Sequence, residues 1–172
     1  MQLITSANTA RNQIPALHKK LVNHLKGDVL DYGAGKYDTA KTWMESENNN
    51  IKLFTYDPFN LSPVHNYSAM NRLYSNIICT NVLNVIQYKK DRIAVYKHLL
   101  NLKNANFSIY FAVYNATKTS KYDETELYVG QETIYGWQNC QPLSFYLKEI
   151  TDFMSKNNSI KVYKDYILVT NK

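Results

Sequence analysis

The chain carries only two cysteines, Cys79 inside an apolar run and Cys140 in a polar one. Their spacing makes neither a zinc site nor a disulfide framework, so both read as free thiols. The four histidines, His18, His24, His65 and His98, show no ligand spacing with one another or with the cysteines. No metal is expected. Also missing is any apolar stretch of the roughly 18 residues that a membrane span requires. Met1 to Ala10 is polar and lacks a signal-peptide core, so a cytoplasmic protein without membrane contact is expected. No internal repeat is visible.

What is present suits one compact domain. The 172 residues, 45% of them hydrophobic and 20% charged, allow a sizeable core and leave little room for a second domain. A formal net charge of +6 fits an anionic partner, because lysines near a phosphate backbone gain affinity through counterion release. The basic residues are nevertheless scattered (Lys19, Lys20, Lys26, then Lys89, Lys90, Arg92 and Lys97), and scatter of this kind also describes solvated helix faces.

Along the chain, a polar arm leads to Pro15-Ala16-Leu17, where Leu17, Leu21, Val22 and Leu25 mark one face of a helix of about three turns that Gly27 closes. Residues 1–27 are therefore an arm and helix. Asp28 to Tyr32 reads as a strand entering a glycine turn, and 38–47 as a helix with Thr42-Trp43-Met44 buried. Ile51 to Tyr56 is a second strand, ended by Asp57-Pro58. A loop follows from Phe59 to about Met70. Asn76 to Thr80 is a buried strand, 91–102 a helix with Ile93, Tyr96, Leu99 and Leu100 inward, and Phe107 to Tyr114 a long strand. Residues 115–142 are polar and irregular, which at that length marks a lid or substrate loop, with a short strand or turn in it. An amphipathic helix over 143–157 and a bent strand or hairpin over 159–170, turning near Lys164-Asp165, complete the chain. Strands alternating with helices predict an α/β fold, a largely parallel sheet with helices on both faces.

The chemistry gathers at Val29-Leu30-Asp31-Tyr32-Gly33-Ala34-Gly35. A glycine pair after a strand and before a helix lets backbone approach a ligand closely, and ligands of open parallel sheets lie beyond the carboxyl ends of the strands. The next strand ends at Asp57, where a carboxylate can receive a ribose hydroxyl pair. A dinucleotide requires a third glycine and tolerates little negative charge beside its pyrophosphate, yet the third position is Asp38 and Asp31 precedes the turn. Those carboxylates instead attract the ammonium and sulfonium of S-adenosylmethionine.

At these residues the chain resembles the class I S-adenosylmethionine-dependent methyltransferases over most of the length from Asp28 to Tyr114. Val29 to Gly35 is similar to the family's first motif, and Thr55-Tyr56-Asp57-Pro58-Phe59-Asn60 to its second. More narrowly, Tyr56 to Asn60 followed by His65-Asn66, then Thr80 to Ile86 with Arg92, and later Trp137-Gln138-Asn139, resembles small methyltransferase-like proteins of bacteriophages. For a phage-encoded chain the compartment is the cytoplasm of the bacterial host. The resemblance implies a Rossmann-like methyltransferase fold, with S-adenosylmethionine held by Asp31, Tyr32, Gly33, Ala34 and Gly35. It further implies that Asp57 binds the ribose, that Pro58 and Phe59 flank the adenine with Asn66 at its amino group, and that Asn81 and Leu83 lie beside the cofactor. The arm Thr5 to Thr9 could fold over it.

Two departures from the family are visible. The segment between the second strand and Asn76 is too short for a normal third strand and its helix, so the sheet should be reduced there. The fourth motif lacks the Asn-Pro-Pro-Tyr or Asp-Pro-Pro-Tyr that grips a flipped base, and no Pro-Cys pair supplies a nucleophile for cytosine C5. Familiar DNA base methylation is thereby disfavoured. Methyl transfer gains mostly from positioning, with a general base needed only where the acceptor must lose a proton first. Asn84, Tyr114 and Gln138 are the candidates for the catalytic role, and Arg92, Trp137 and Gln138 for substrate contact. Nucleic acid is favoured slightly over a small molecule as acceptor. A different class also stays open, a S-adenosylmethionine-binding protein without transferase activity: a cofactor sink, a cofactor-cleaving enzyme or an interaction module.

Overall fold

The computed structural model describes residues 10–114, 130–133, 136–139 and 141–172. Helix α1 (Ala16–Leu21), continued by a 3-10 turn (Val22–His24), precedes β1 (Gly27–Tyr32), α2 (Thr39–Glu47) and β2 (Ile51–Tyr56). Then come α3 (Pro63–Met70), β3 (Tyr74–Thr80), a 3-10 turn (Leu83–Val85), α4 (Lys89–Leu102) and β4 (Lys103–Ala112). A separate hairpin of β5 (Gly130–Thr133) and β6 (Gly136–Asn139) is followed by α5 (Leu143–Met154), β7 (Asn158–Val162) and β8 (Ile167–Asn171).

The main sheet has the order β2-β1-β3-β4-β8-β7. Its first four strands are parallel, while β8 runs antiparallel to β4 and β7 antiparallel to β8. Helices cover both faces. On one, Leu30, Tyr32, Ile77, Cys79, Ile109 and Phe111 pack under Tyr96 and Leu99 of α4 and Tyr146 and Ile150 of α5. On the other, Val29, Leu53 and Ile78 pack under Leu17 and Leu21 of α1 and Met44 of α2. The alternation along β1, Val29 toward α1 and Leu30 toward α4 with both buried, follows from the period of two in a pleated strand.

This is the expected α/β, Rossmann-like methyltransferase architecture, and the sheet ends at β2, where the reduction was foreseen. The expected loop over 59–70 is corrected: Pro63 at the first helical position and Ser62, whose hydroxyl accepts the His65 amide at 3.2 Å, cap an eight-residue helix. The first helix is shorter than its apolar face suggests, tightening into the 3-10 turn after Leu21. Thr42 is exposed, leaving Ala40 and Met44 as the buried positions of α2. Of the span 115–142, the described part holds the β5–β6 hairpin and residues 141–142, while 115–129, 134–135 and Cys140, like the arm 1–9, lie outside the described residues. Cys79 is a free, buried thiol, and burial raises its pKa.

Candidate functional site

Register places the carboxyl ends of the parallel strands in one row: Tyr56 beside Tyr32, Tyr32 beside Cys79, and Cys79 beside Phe111. The residues that follow each strand, Asp57, Gly33, Asn81 and Val113, therefore form a single rim. Gly33 and Gly35 have φ of 82° and 75°, a region that side-chain-bearing residues enter only at a cost. A Cβ on Gly33 would stand 2.3 Å from Val82 Cγ2, so the turn after β3 leans directly on the glycine turn. The amides of Gly33 and Ala34 both donate to the Tyr56 carbonyl, at 2.7 and 3.2 Å.

Asp57 organises its loop from a buried position. Its Oδ2 accepts the Gly35 amide at 2.9 Å; its Oδ1 accepts the Phe59 and Asn60 amides at 2.9 Å each and Asn60 Nδ2 at 3.1 Å. A carboxylate offers about four acceptor sites, so only Oδ2 keeps room for a further donor. The expectation that Asn66 reaches an adenine meets a different arrangement. Its Oδ1 accepts the Asp57 amide at 3.0 Å and its Nδ2 donates to the carbonyls of Asp57 and Leu61 at 2.9 and 3.2 Å, so the side chain is spent on the loop's backbone. Phe59 is half exposed beside it.

Asp31 is buried on the α1 face of the sheet. His18, itself 1% exposed, brings Nε2 to 2.9 Å from Asp31 Oδ2, but out of line for a hydrogen bond, and neither ring nitrogen has an aligned partner. Sequence reasoning missed this residue. A histidine within the apolar repeat Leu17, Leu21, Leu25 was the available signal. On the opposite face, Tyr32 Oη lies 2.9 Å from His98 Nδ1, and His98 stands edge-on to the rings of Tyr32 and Tyr56. Burial lowers the pKa of His98 and raises those of both tyrosines.

Beyond β3 the backbone turns through Asn81, whose φ of 60° is left-handed and whose amide donates to the Ala112 carbonyl at 2.9 Å. Leu83 and Asn84 are buried in the 3-10 turn. The β5–β6 hairpin clamps this turn: Asn139 Nδ2 donates to the carbonyls of Leu83 and Ile86 at 3.1 and 2.8 Å, and Trp137 Nε1 fixes Asn139 Oδ1 at 2.7 Å. Asn84 Nδ2 donates to Gln138 Oε1 at 3.0 Å, while Asn84 Oδ1 is buried without a partner. The fold thus brings Asn84 together with the adjacent pair Trp137 and Gln138, more than 50 residues further along the sequence. Tyr114 is exposed just past β4.

Arg92 does not join them, and its expected role in gripping substrate is corrected. Buried at the base of the turn, its Nε and Nη2 donate to Glu149 at 2.8 and 2.6 Å, and Nη1 donates to the Ile86 and Gln87 carbonyls at 2.8 and 2.9 Å. Burial opposes the charge, and the hydrogen bonds and charge of Glu149 outweigh it, holding the guanidinium above its ordinary pKa. Four of its five N–H donors are taken up inside the protein. Among the described residues no cluster of metal-ligating side chains occurs, and no helix is long and apolar enough to cross a membrane.

No protein-family model matches the chain, and no curated protein matches it in sequence. Solved structures do match its fold. The plantazolicin methyltransferase BpumL, solved with a desmethylPZN analog and SAH, superimposes with a TM-score of 0.58 at 11% identity over 98% of this chain and 84% of its own. The glycopeptide N-methyltransferase MtfA complexed with (S)-adenosyl-L-methionine gives 0.54 at 10% identity, over 94% and 87%. An O-methyltransferase family protein from Burkholderia thailandensis gives 0.54 at 11% identity, over 91% of this chain and 56% of that one. At such identities the likeness is one of fold.

Proposed function

We propose that this protein is a S-adenosylmethionine-dependent methyltransferase whose single domain spans residues 1–172. The observation that carries the reading is the glycine turn between the ends of β1 and β2, flanked by two buried carboxylates, Asp31 and Asp57. The residues present fit that cofactor. Asp31 places negative charge where an ammonium and a sulfonium are favoured, Gly33 to Gly35 admit close backbone approach, and Asp57 Oδ2 has one site open to a ribose hydroxyl. Pro58 and Phe59 offer an apolar face to an adenine ring, and Asn81 and Leu83 border the methionine portion, with Tyr32 and Ala34 supplying backbone to the turn.

When bound, the cofactor supplies an electrophilic methyl group on a sulfonium. The chain's task is then to hold an acceptor in line, which is a matter of positioning. Asn84, with a buried carbonyl oxygen free to accept an N–H or O–H, and Gln138 beside it orient that acceptor, and Trp137 and Tyr114 border it. Net charge favours an anionic acceptor, a nucleic acid, over a small molecule, with the cytoplasm as the proposed site of action.

Calorimetry with S-adenosylmethionine and S-adenosylhomocysteine on wild type and Asp31→Asn tests the cofactor. Binding by wild type that the variant weakens is the expected result, and no heat from either ligand would sink the reading. Transfer of a labelled methyl group into nucleic acid, protein and small-molecule fractions tests the reaction. Cofactor binding with no labelled fraction would instead assign a cofactor sink, a cofactor-cleaving enzyme or an interaction module.

A further inference from the structure

The row of residues at the carboxyl edge does not stop at β4. Phe111 pairs with Ile167 of β8, and Ile167 with Val162 of β7. Because β8 runs antiparallel, the hairpin tip Tyr163-Lys164-Asp165-Tyr166 comes out on the same rim as Gly33 and Asn81. With strands about 4.8 Å apart, the tip lies about 10 Å along the edge from the end of β3 and about 14 Å from the end of β1.

The composition of the tip is unusual for a turn. The rings of Tyr163 and Tyr166 stack with centroids 4.4 Å apart and planes 9° from parallel. Tyr110 supports Tyr166 from β4 at 6.1 Å, and Lys20 of α1 lies 5.6 Å from the same ring. Tyr163 is 42% exposed and Val162 beside it 55% exposed. Lys19, Lys20, Lys161 and Lys164 are exposed, with Lys20 by the Tyr166 ring and Lys161 and Lys164 flanking Tyr163 in sequence. The carboxylate at the tip, Asp165, is already held by Lys20 at 2.9 Å.

We infer that this tip is a docking platform for single-stranded nucleic acid. The inference names the acceptor class of the proposed methyltransferase and rests on that reading for its placement beside the cleft. An aromatic ring braced from behind by a parallel stack presents a rigid flat face, which suits an unpaired base, and every base has such a face. The flanking lysines suit the phosphates between bases. A duplex keeps its base faces inside and gains nothing from Tyr163, whereas an acidic peptide would use the lysines alone.

Fluorescence anisotropy on the full chain reads this directly, with labelled single-stranded DNA and RNA of about 12 nucleotides, a blunt duplex, and polyglutamate as competitor. Single strands should bind, and Tyr163→Ala should weaken them about tenfold while Tyr163→Phe leaves them unchanged. Tyr163→Leu, which keeps an apolar group against Tyr166, should weaken them as alanine does. The pair Lys161→Gln and Lys164→Gln should lower the slope of log affinity against log salt by about 1.4. No binding at about 50 mM salt, equal affinity for duplex, displacement by polyglutamate at matched charge, or indifference to Tyr163→Ala would each overturn the inference. Calorimetry with S-adenosylmethionine on the same variants separates the two readings: the cofactor should bind them as it binds wild type, and a chain that binds single strands but no cofactor refutes the methyltransferase alone.

Discussion

The loop after β2 and the turn after β3 stand on the same rim and are built on opposite terms. In the first, Asp57 gathers three backbone amides and the Asn60 side chain, and Asn66 gathers the loop's own backbone. In the second, the buried Thr80 Oγ1 and Asn84 Oδ1 have no partner. An unsatisfied buried acceptor costs about 1–3 kcal/mol, so the fold tolerates at one end of the rim what it avoids at the other. The lesson is a division of labour. The Asp57 loop is held in shape by its own hydrogen bonds, and the Asn84 turn keeps two buried acceptors unpaired.

The support beneath the open turn offers the severest test. Arg92→Met leaves Glu149 charged and buried, and should cost about 3–5 kcal/mol in denaturant unfolding, whereas adding Glu149→Leu should recover most of that loss. If the single change were mild, the turn would not depend on the buried pair. Next is Gly33→Ala, where a left-handed φ and overlap with Val82 act together; about 2–4 kcal/mol of stability should go, and cofactor affinity with it. Asp57→Ala removes charge-assisted bonds from the finished loop, and calorimetry should show S-adenosylmethionine affinity lowered by about tenfold to a hundredfold. Asn84→Ala should do the reverse: an unchanged cofactor Kd, with methyl transfer slowed about tenfold. Equal effects of those two variants on cofactor binding would erase the distinction between the regions.

The smallest effect concerns pH. His98 has a pKa lowered by burial from its ordinary 6.5, so the unfolded chain takes up the proton first. Stability should therefore be fully present above about pH 6.5 and decline as pH falls through the lowered folded value. In His98→Gln that part of the decline should vanish, as urea unfolding at neutral and mildly acidic pH can show.

Much of this was legible beforehand. Ile51 to Tyr56 ends as a strand at the residue where Asp57-Pro58 stops it, and the Gly33-Gly35 turn follows β1 as its glycines require. The misses have physical causes. Arg92 read as a candidate for substrate contact because its partner Glu149 lies 57 positions away, although Glu149 falls among the apolar positions Tyr146, Ile150 and Phe153 and could have been flagged as a buried charge. His18 was passed over because a lone histidine shows no ligand spacing, while its contact with Asp31 exists only once α1 folds over β1. Helix α3 was missed because its cap, Ser62 followed by Pro63, sits in a polar stretch with weak apolar periodicity.

The shortened sheet ends at β2, and a strand without an outer neighbour ordinarily invites another chain to pair with it. Here the Glu45 carboxylate reaches from α2 to take the Leu53 amide at 2.8 Å, and the Asn48 carbonyl takes that of Ile51 at 3.2 Å. Two of the donors that would template intermolecular growth are thus already engaged. A helix beside the sheet that carries one carboxylate of the right reach lowers the tendency of the β2 edge to become a nucleus for polymerisation.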